Sequence, residues 1–154
     1  MKFGPGFTIL RDDRDKGAHA LPISSQTIAV GDLLDLDVGA TTWTVCASDS
    51  VSYTKKAIAV AAATTDDTEV NAIELDGTED VQAQAVAAGD TADNGDRMAL
   101  TDENTVNNSG TDVTTTTVCF IQRGVVGANT AGEATEYQIW GNVLVGNGVV
   151  STVS

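Results

Sequence analysis

The sequence predicts an all-β fold: a small barrel or sandwich of short antiparallel strands preceded by an extended N-terminal arm. Three observations lead there. From Thr27 onward, short apolar stretches recur at roughly 8 to 12 residues, separated by Gly, Asp, Asn and Thr clusters, the spacing of sandwiches and barrels. Val and Thr crowd residues 111–121, and such β-branched side chains fit a pleated surface while losing rotamer freedom in a helix. Near the C-terminus, Tyr137, Ile139, Val143 and Val145 fall on one side of a two-residue period.

Residues 1–25 are assigned to the arm and residues 26–154 to a β-rich body. The arm holds both prolines (Pro5 and Pro22), the sole histidine (His19) and four of the eight basic residues: Lys2, Arg11, Arg14 and Lys16. Phe3, Phe7, Ile9 and Leu10 give it apolar anchors, which are stabilised only when something covers them. In the body, strands are expected at 27–30, 33–38, 42–47, 56–63, 69–75, 81–87, 97–101, 114–122, 137–145 and 149–153. Two stretches carry mixed signals. Residues 78–88 open on Thr78, Glu79 and Asp80 and stop at Gly89, as a helix would, yet Val81, Ala83, Ala85 and Ala87 alternate with Gln82, Gln84 and Val86. The alternation favours a strand, and Ile58 and Val60 tip residues 57–63 the same way.

One phrase occurs twice: Gly31-Asp32-Leu33-Leu34-Asp35-Leu36 and Gly95-Asp96-Arg97-Met98-Ala99-Leu100. In both, a Gly-Asp turn feeds a strand whose second and fourth positions after Asp are apolar, so Leu34 with Leu36, and Met98 with Leu100, share a side. Two similarly built strand starts within one barrel or sandwich are expected. At the C-terminus Gly146-Asn147-Gly148 suits a tight turn into Val149-Val150, closing a hairpin.

At 154 residues the chain fits one domain. Its apolar content leans on Ala and Val, so a large ligand cavity is not expected. Acidic residues number 22 against eight basic, for a formal net charge of -14. That balance argues against nucleic acid, whose affinity for proteins comes mainly from Lys and Arg neutralising phosphates, and against an anionic membrane surface. Surplus carboxylates keep a polar surface soluble and self-repelling. Cys46 and Cys119 lie far apart without CxxC spacing, so neither a disulfide framework nor a zinc site follows, and both are expected as small buried groups in a reducing compartment. Neither the apolar core of a signal peptide nor a run of about 18 apolar residues for a membrane helix is present, and cytoplasmic synthesis and folding are expected.

No catalytic constellation emerges. His19 sits between Ala18 and Ala20 in the arm, with no GxSxG elbow to accompany it, and nothing in the spacing brings it to Cys46 or Cys119. Carboxylates abound, but two Trp, two Tyr and three Phe are too few to line a saccharide cleft, and core packing accounts better for Trp43, Tyr53 and Trp140 than sugar binding does. The loop Asp90–Asp96 gathers oxygen ligands yet misses the calcium-loop template, because Ala92 and Thr101 fall at its third and twelfth positions. A turn is the better reading there, as at Asp66-Asp67 and Asp102-Glu103. Phosphate-binding glycine loops are absent too. The expectation is a non-enzymatic protein without cofactor or metal.

Three segments, Ala57-Ile58-Ala59-Val60-Ala61, residues 81–90 (Val81-Gln82-Ala83-Gln84-Ala85-Val86-Ala87-Ala88-Gly89-Asp90) and Gly95-Asp96-Arg97-Met98-Ala99-Leu100, together with the mildly basic arm and acidic Ala/Thr/Gly-rich body, resemble the small capsid decoration (cement) proteins of tailed bacteriophages. The likeness covers residues 27–105. It implies a structural virion protein, made in the host cytoplasm, that binds the outside of an icosahedral shell and bridges major capsid subunits, commonly as a homotrimer. On that reading Phe3, Phe7, Ile9, Leu10, Arg11 and Arg14 would contact the major capsid protein or a neighbouring protomer. Two alternatives stay open: another β-rich virion component of the tail or fibre, and a non-catalytic binding module of a cell-surface protein.

Overall fold

The computed structural model describes residues 6–11, 17–36, 39, 41–48, 50, 54–87, 89–109, 119–126, 138–143 and 145. Among these are eleven strands and one 3-10 turn, so the all-β class holds. The strands are β1 (Phe7–Arg11), β2 (His19–Pro22), β3 (Leu33–Leu36), β4 (Trp43–Val45), β5 (Lys56–Ala59), β6 (Glu69–Leu75), β7 (Asp80–Ala85), β8 (Arg97–Asp102), β9 (Thr105–Val106), β10 (Cys119–Val125) and β11 (Gln138–Val143). The ambiguous stretch after Thr78 is strand β7, as its two-residue alternation implied: Val81, Ala83 and Ala85 all enter the core.

Two sheets form, and each curls until its ends meet. In the first the order is β1-β7-β11-β10-β8-β9, and β9 returns to pair in parallel with β7. Gln84 pairs with Gln138 on one side and Thr105 on the other, so β1 and β9 lie in line along the edge of β7 opposite β11. Inside sit Phe7, Val81, Ala83, Ala85, Met98, Leu100, Val106, Phe120, Ile139 and Val143. The Phe7 and Phe120 rings meet at 6.3 Å and 50°, a tilted pairing that suits aromatic quadrupoles. The second sheet runs β2-β6-β5-β3-β4. Beyond β2, Ile23 bridges in parallel to Trp43 of β4, while its N–H bonds the Thr68 carbonyl at 3.0 Å, joining the two ends. Gln26 finishes the β4 edge: its Oε1 accepts the Val45 N–H at 3.0 Å and its Nε2 donates to the Trp43 carbonyl at 2.8 Å. Leu21, Ile28, Leu34, Trp43, Ala57, Ala59, Ala63, Val70 and Ala72 fill this second core.

The repeated Gly-Asp phrase starts one strand in each sheet, β3 in the second and β8 in the first. Its glycines adopt matching left-handed conformations, φ 93° at Gly31 and 96° at Gly95. Leu34 then enters the second core, with Leu36 against it, and Met98 and Leu100 enter the first.

Several elements differ from the sequence expectations. Residues 27–30 turn instead of extending, because Asp32 Oδ2 accepts the Ala29 N–H at 2.9 Å and the Asp32 N–H returns to the Ala29 carbonyl at 3.1 Å. Only Ile28 keeps a bridge, to Ala63. Strand β5 stops at Ala59, four residues before the expected end at Ala63. Strands β1, β2 and β9 were not foreseen. The described parts of residues 1–25 are not a free arm: β1 and β2 are edge strands, one in each sheet, and Phe7 and Leu21 find their apolar cover within the chain. Expected strand 149–153, residues 114–118 and the turn at 146–148 lie outside the described residues.

Close backbone approach fixes Gly141 on β11, where an added Cβ would overlap the Ile121 carbonyl oxygen across the pair with β10. Gly141→Ala therefore should destabilise the fold by about 1–3 kcal/mol, the usual cost of overpacking, read as a lower urea midpoint with unchanged slope.

Candidate functional site

The described residues that the sequence singled out are mostly engaged inside the fold. Phe7 is buried, Ile9 packs against the first core, and Leu10 on the same strand is 44% exposed. Arg11, at the end of β1, pairs with Asp80 at 3.1 Å in an exposed position. Phe3 and Arg14 lie outside the described residues. His19 stands on the exposed edge strand β2, its Nε2 2.9 Å from Glu74 Oε2. Trp43 is core, and Trp140 is half-buried with its indole over Gly124.

The acidic turns close on themselves. Asp90 Oδ1 accepts the Ala92 N–H at 2.9 Å, and Gln122, fully buried in the middle of β10, ties the loop down by donating to the Asp90 carbonyl at 2.7 Å and Asn94 Oδ1 at 2.9 Å. Asp67 caps its own turn through the Thr64 N–H at 2.7 Å, and Asp102 holds the Asn104 N–H at 3.0 Å. Among the described residues, no three His, Cys, Asp or Glu side chains gather to hold a metal ion.

Among the described residues, a buried polar cluster lies where the two sheets join. Asp35 of β3 and Lys56 of β5 are direct cross-strand partners. They project from the same face as Leu33 and Ile58, towards the first core. Lys56 is fully buried, and its Nζ donates to Asp35 Oδ1 at 2.9 Å, the Thr54 carbonyl at 2.9 Å and Thr54 Oγ1 at 2.7 Å. The Thr54 hydroxyl in turn donates to Asp35 Oδ1. An ammonium can leave water only when its charge is paired and its protons bonded, and this geometry does both. Chemically the cluster is an amine and a carboxylate in contact, bridged by a hydroxyl. Its only trace in the sequence is the second lysine of Lys55-Lys56 opening Ala57-Ile58-Ala59 and an aspartate set among the leucines of Leu33-Leu34-Asp35-Leu36.

Cys46 borders this cluster. Burial pushes its thiol from 9.0 up to about 12, against the pull of the Lys56 charge and with a small push from Asp35. Across the joint, burial also raises the Asp32 carboxyl above its ordinary 3.8; the Ala29 N–H opposes this, Glu103 adds to it, Asn104 opposes and Asp102 adds. The backbone binds the same joint, the Leu33 N–H donating to the Glu103 carbonyl and the Phe7 N–H to Gly31, both at 2.8 Å.

No protein family, curated protein or solved structure matches the chain.

Lys56→Met leaves Asp35 buried without its cation and should cost about 3–5 kcal/mol, read by urea or thermal unfolding. Both raised groups act in one direction on pH. The folded chain holds each proton to higher pH than the unfolded chain does, so each contribution is full below the ordinary pKa and is lost as pH rises through the folded one. For Cys46 that window runs from 9.0 to about 12. Cys46→Ala should therefore flatten the alkaline loss of stability relative to the parent protein. For Asp32 the window opens above 3.8. Asp32→Asn, which can still accept the Ala29 N–H, should gain more stability at neutral than at acid pH, as urea midpoints at the two conditions would show.

Proposed function

We propose that this chain is a non-catalytic structural protein of a tailed-phage virion, one that decorates the outer capsid surface and bridges major capsid subunits as a homotrimer. The observation that carries this reading is the division of labour among its polar groups. Several described residues with nucleophilic or acid–base chemistry have places inside the fold: the Cys46 thiol is buried, Lys56 and Asp35 meet between strands, and Asp32, Asp67, Asp90 and Asp102 cap turns. The chain as a whole carries 22 carboxylates against eight basic side chains, an excess that favours an acidic surface. Such a surface keeps many copies on one shell from sticking to each other or to nucleic acid.

The exposed edge strand β1 supports a contact surface there. With Phe7 committed to the core, Leu10 and Arg11 are the exposed groups of that strand suited to a partner, one apolar and one cationic. An exposed ion pair contributes about 0–1 kcal/mol and is screened by salt, while covering the 44% of Leu10 still exposed contributes about 1 kcal/mol without that screening. Three copies on a trimer multiply either effect through avidity.

Co-sedimentation with undecorated shells of the same phage tests the reading, alongside sedimentation equilibrium for oligomer mass. The trimer should bind and raise the shell's thermal stability, and Leu10→Asp should weaken binding about tenfold or more with little change in melting temperature. Failure of the folded wild-type protein to bind shells would rule this reading out and favour a tail, fibre or cell-surface role.

A further inference from the structure

We infer that Lys56 and Asp35 are the two halves of an autocatalytic cross-link, in which the lysine amine condenses with the aspartate carboxyl to an amide that ties β5 to β3. The step balances without a co-reactant: ammonium and carboxylate become an amide and one water. A C–N bond forms between Nζ and Asp35 Cγ, and one C–O bond of the carboxyl breaks. Nothing is oxidised or reduced. The inference concerns the chain's own chemistry and stands independently of the capsid reading.

Three features of the cluster serve this reaction. The first is proximity, for Nζ lies 2.9 Å from Oδ1, an oxygen bonded to the carbon it attacks, and register places the two residues opposite one another on neighbouring strands. Holding the two groups in contact removes the entropic cost of bringing them together. The second is a proton path. An ammonium is no nucleophile, but Nζ donates to Thr54 Oγ1 at 2.7 Å and that hydroxyl donates to Asp35 Oδ1, so a proton passed along the chain leaves an uncharged amine beside an uncharged acid. After attack, the amine's next proton leaves with the departing oxygen as water. The third is exclusion of solvent: Lys56 has no exposed surface, so the ion pair lacks the hydration that holds the same condensation back in bulk water. Cys46, the neighbouring nucleophile, keeps its proton and does not compete.

Mass spectrometry of the denatured full-length protein decides the matter. The chain should weigh one water less than its sequence, and digestion should release a branched peptide joining the segments that contain Asp35 and Lys56. Asp35→Asn should form the same amide while losing ammonia in place of water, and Thr54→Val should slow its appearance after refolding. Wild-type protein that stays at full sequence mass through prolonged incubation in the folded state overturns the inference. So does a water loss that persists in Lys56→Arg, which would place it elsewhere in the chain. The wild-type measurement stands even where a variant fails to fold.

Discussion

The structure depends on one constraint: strands β3 and β5 are buried on both faces. Leu33 and Ile58 point into the first core, while Leu34, Ala57 and Ala59 point into the second. Strands of an antiparallel sheet usually keep one face in water, so a chain that gives both to apolar neighbours must supply a second layer for each. Here the two closed sheets supply it for one another and for themselves. Ala serves at 57, 59 and 72 because the inside of a small barrel leaves little room beside Leu34 and Trp43.

The charged cluster follows from the same constraint. A strand without a solvent face has nowhere to put a polar side chain except against another, and Asp35 and Lys56 meet because register makes them neighbours. Thr54 answers the remaining hydrogen-bonding capacity from the residue two before Lys56. Removing either charge strands the other in a medium of low dielectric, so the pair specifies one register of β3 against β5; a one-residue slip would send lysine and aspartate into opposite cores.

Closure also explains how this β-rich chain manages its edges. Open strands are templates for pairing with other molecules. The first sheet joins β9 to β7, and the second joins Ile23 to Trp43 and covers β4 with the Gln26 carboxamide. Strand β1 stays at an edge, marked by Leu10 and by Arg11 held to Asp80.

The sequence by itself determined the class of fold and the sidedness of its strands. Alternation is a property of consecutive residues, so Val81, Ala83 and Ala85 marked β7 as strand against its helix-like ends, and the Gly-Asp phrase placed Met98 and Leu100 on one side. Tertiary structure alone decided which strands met. Ring closure of β9 on β7, and of Ile23 on Trp43, rests on backbone hydrogen bonds that carry no residue identity, and in the second case joins positions twenty residues apart. The same holds for residues 7–11 and 19–22, whose apolar anchors show that they need cover without showing that the chain itself provides it. Lys56 and Asp35 read singly as surface charges. Only the pairing of their strands, with both faces covered, made them a buried couple.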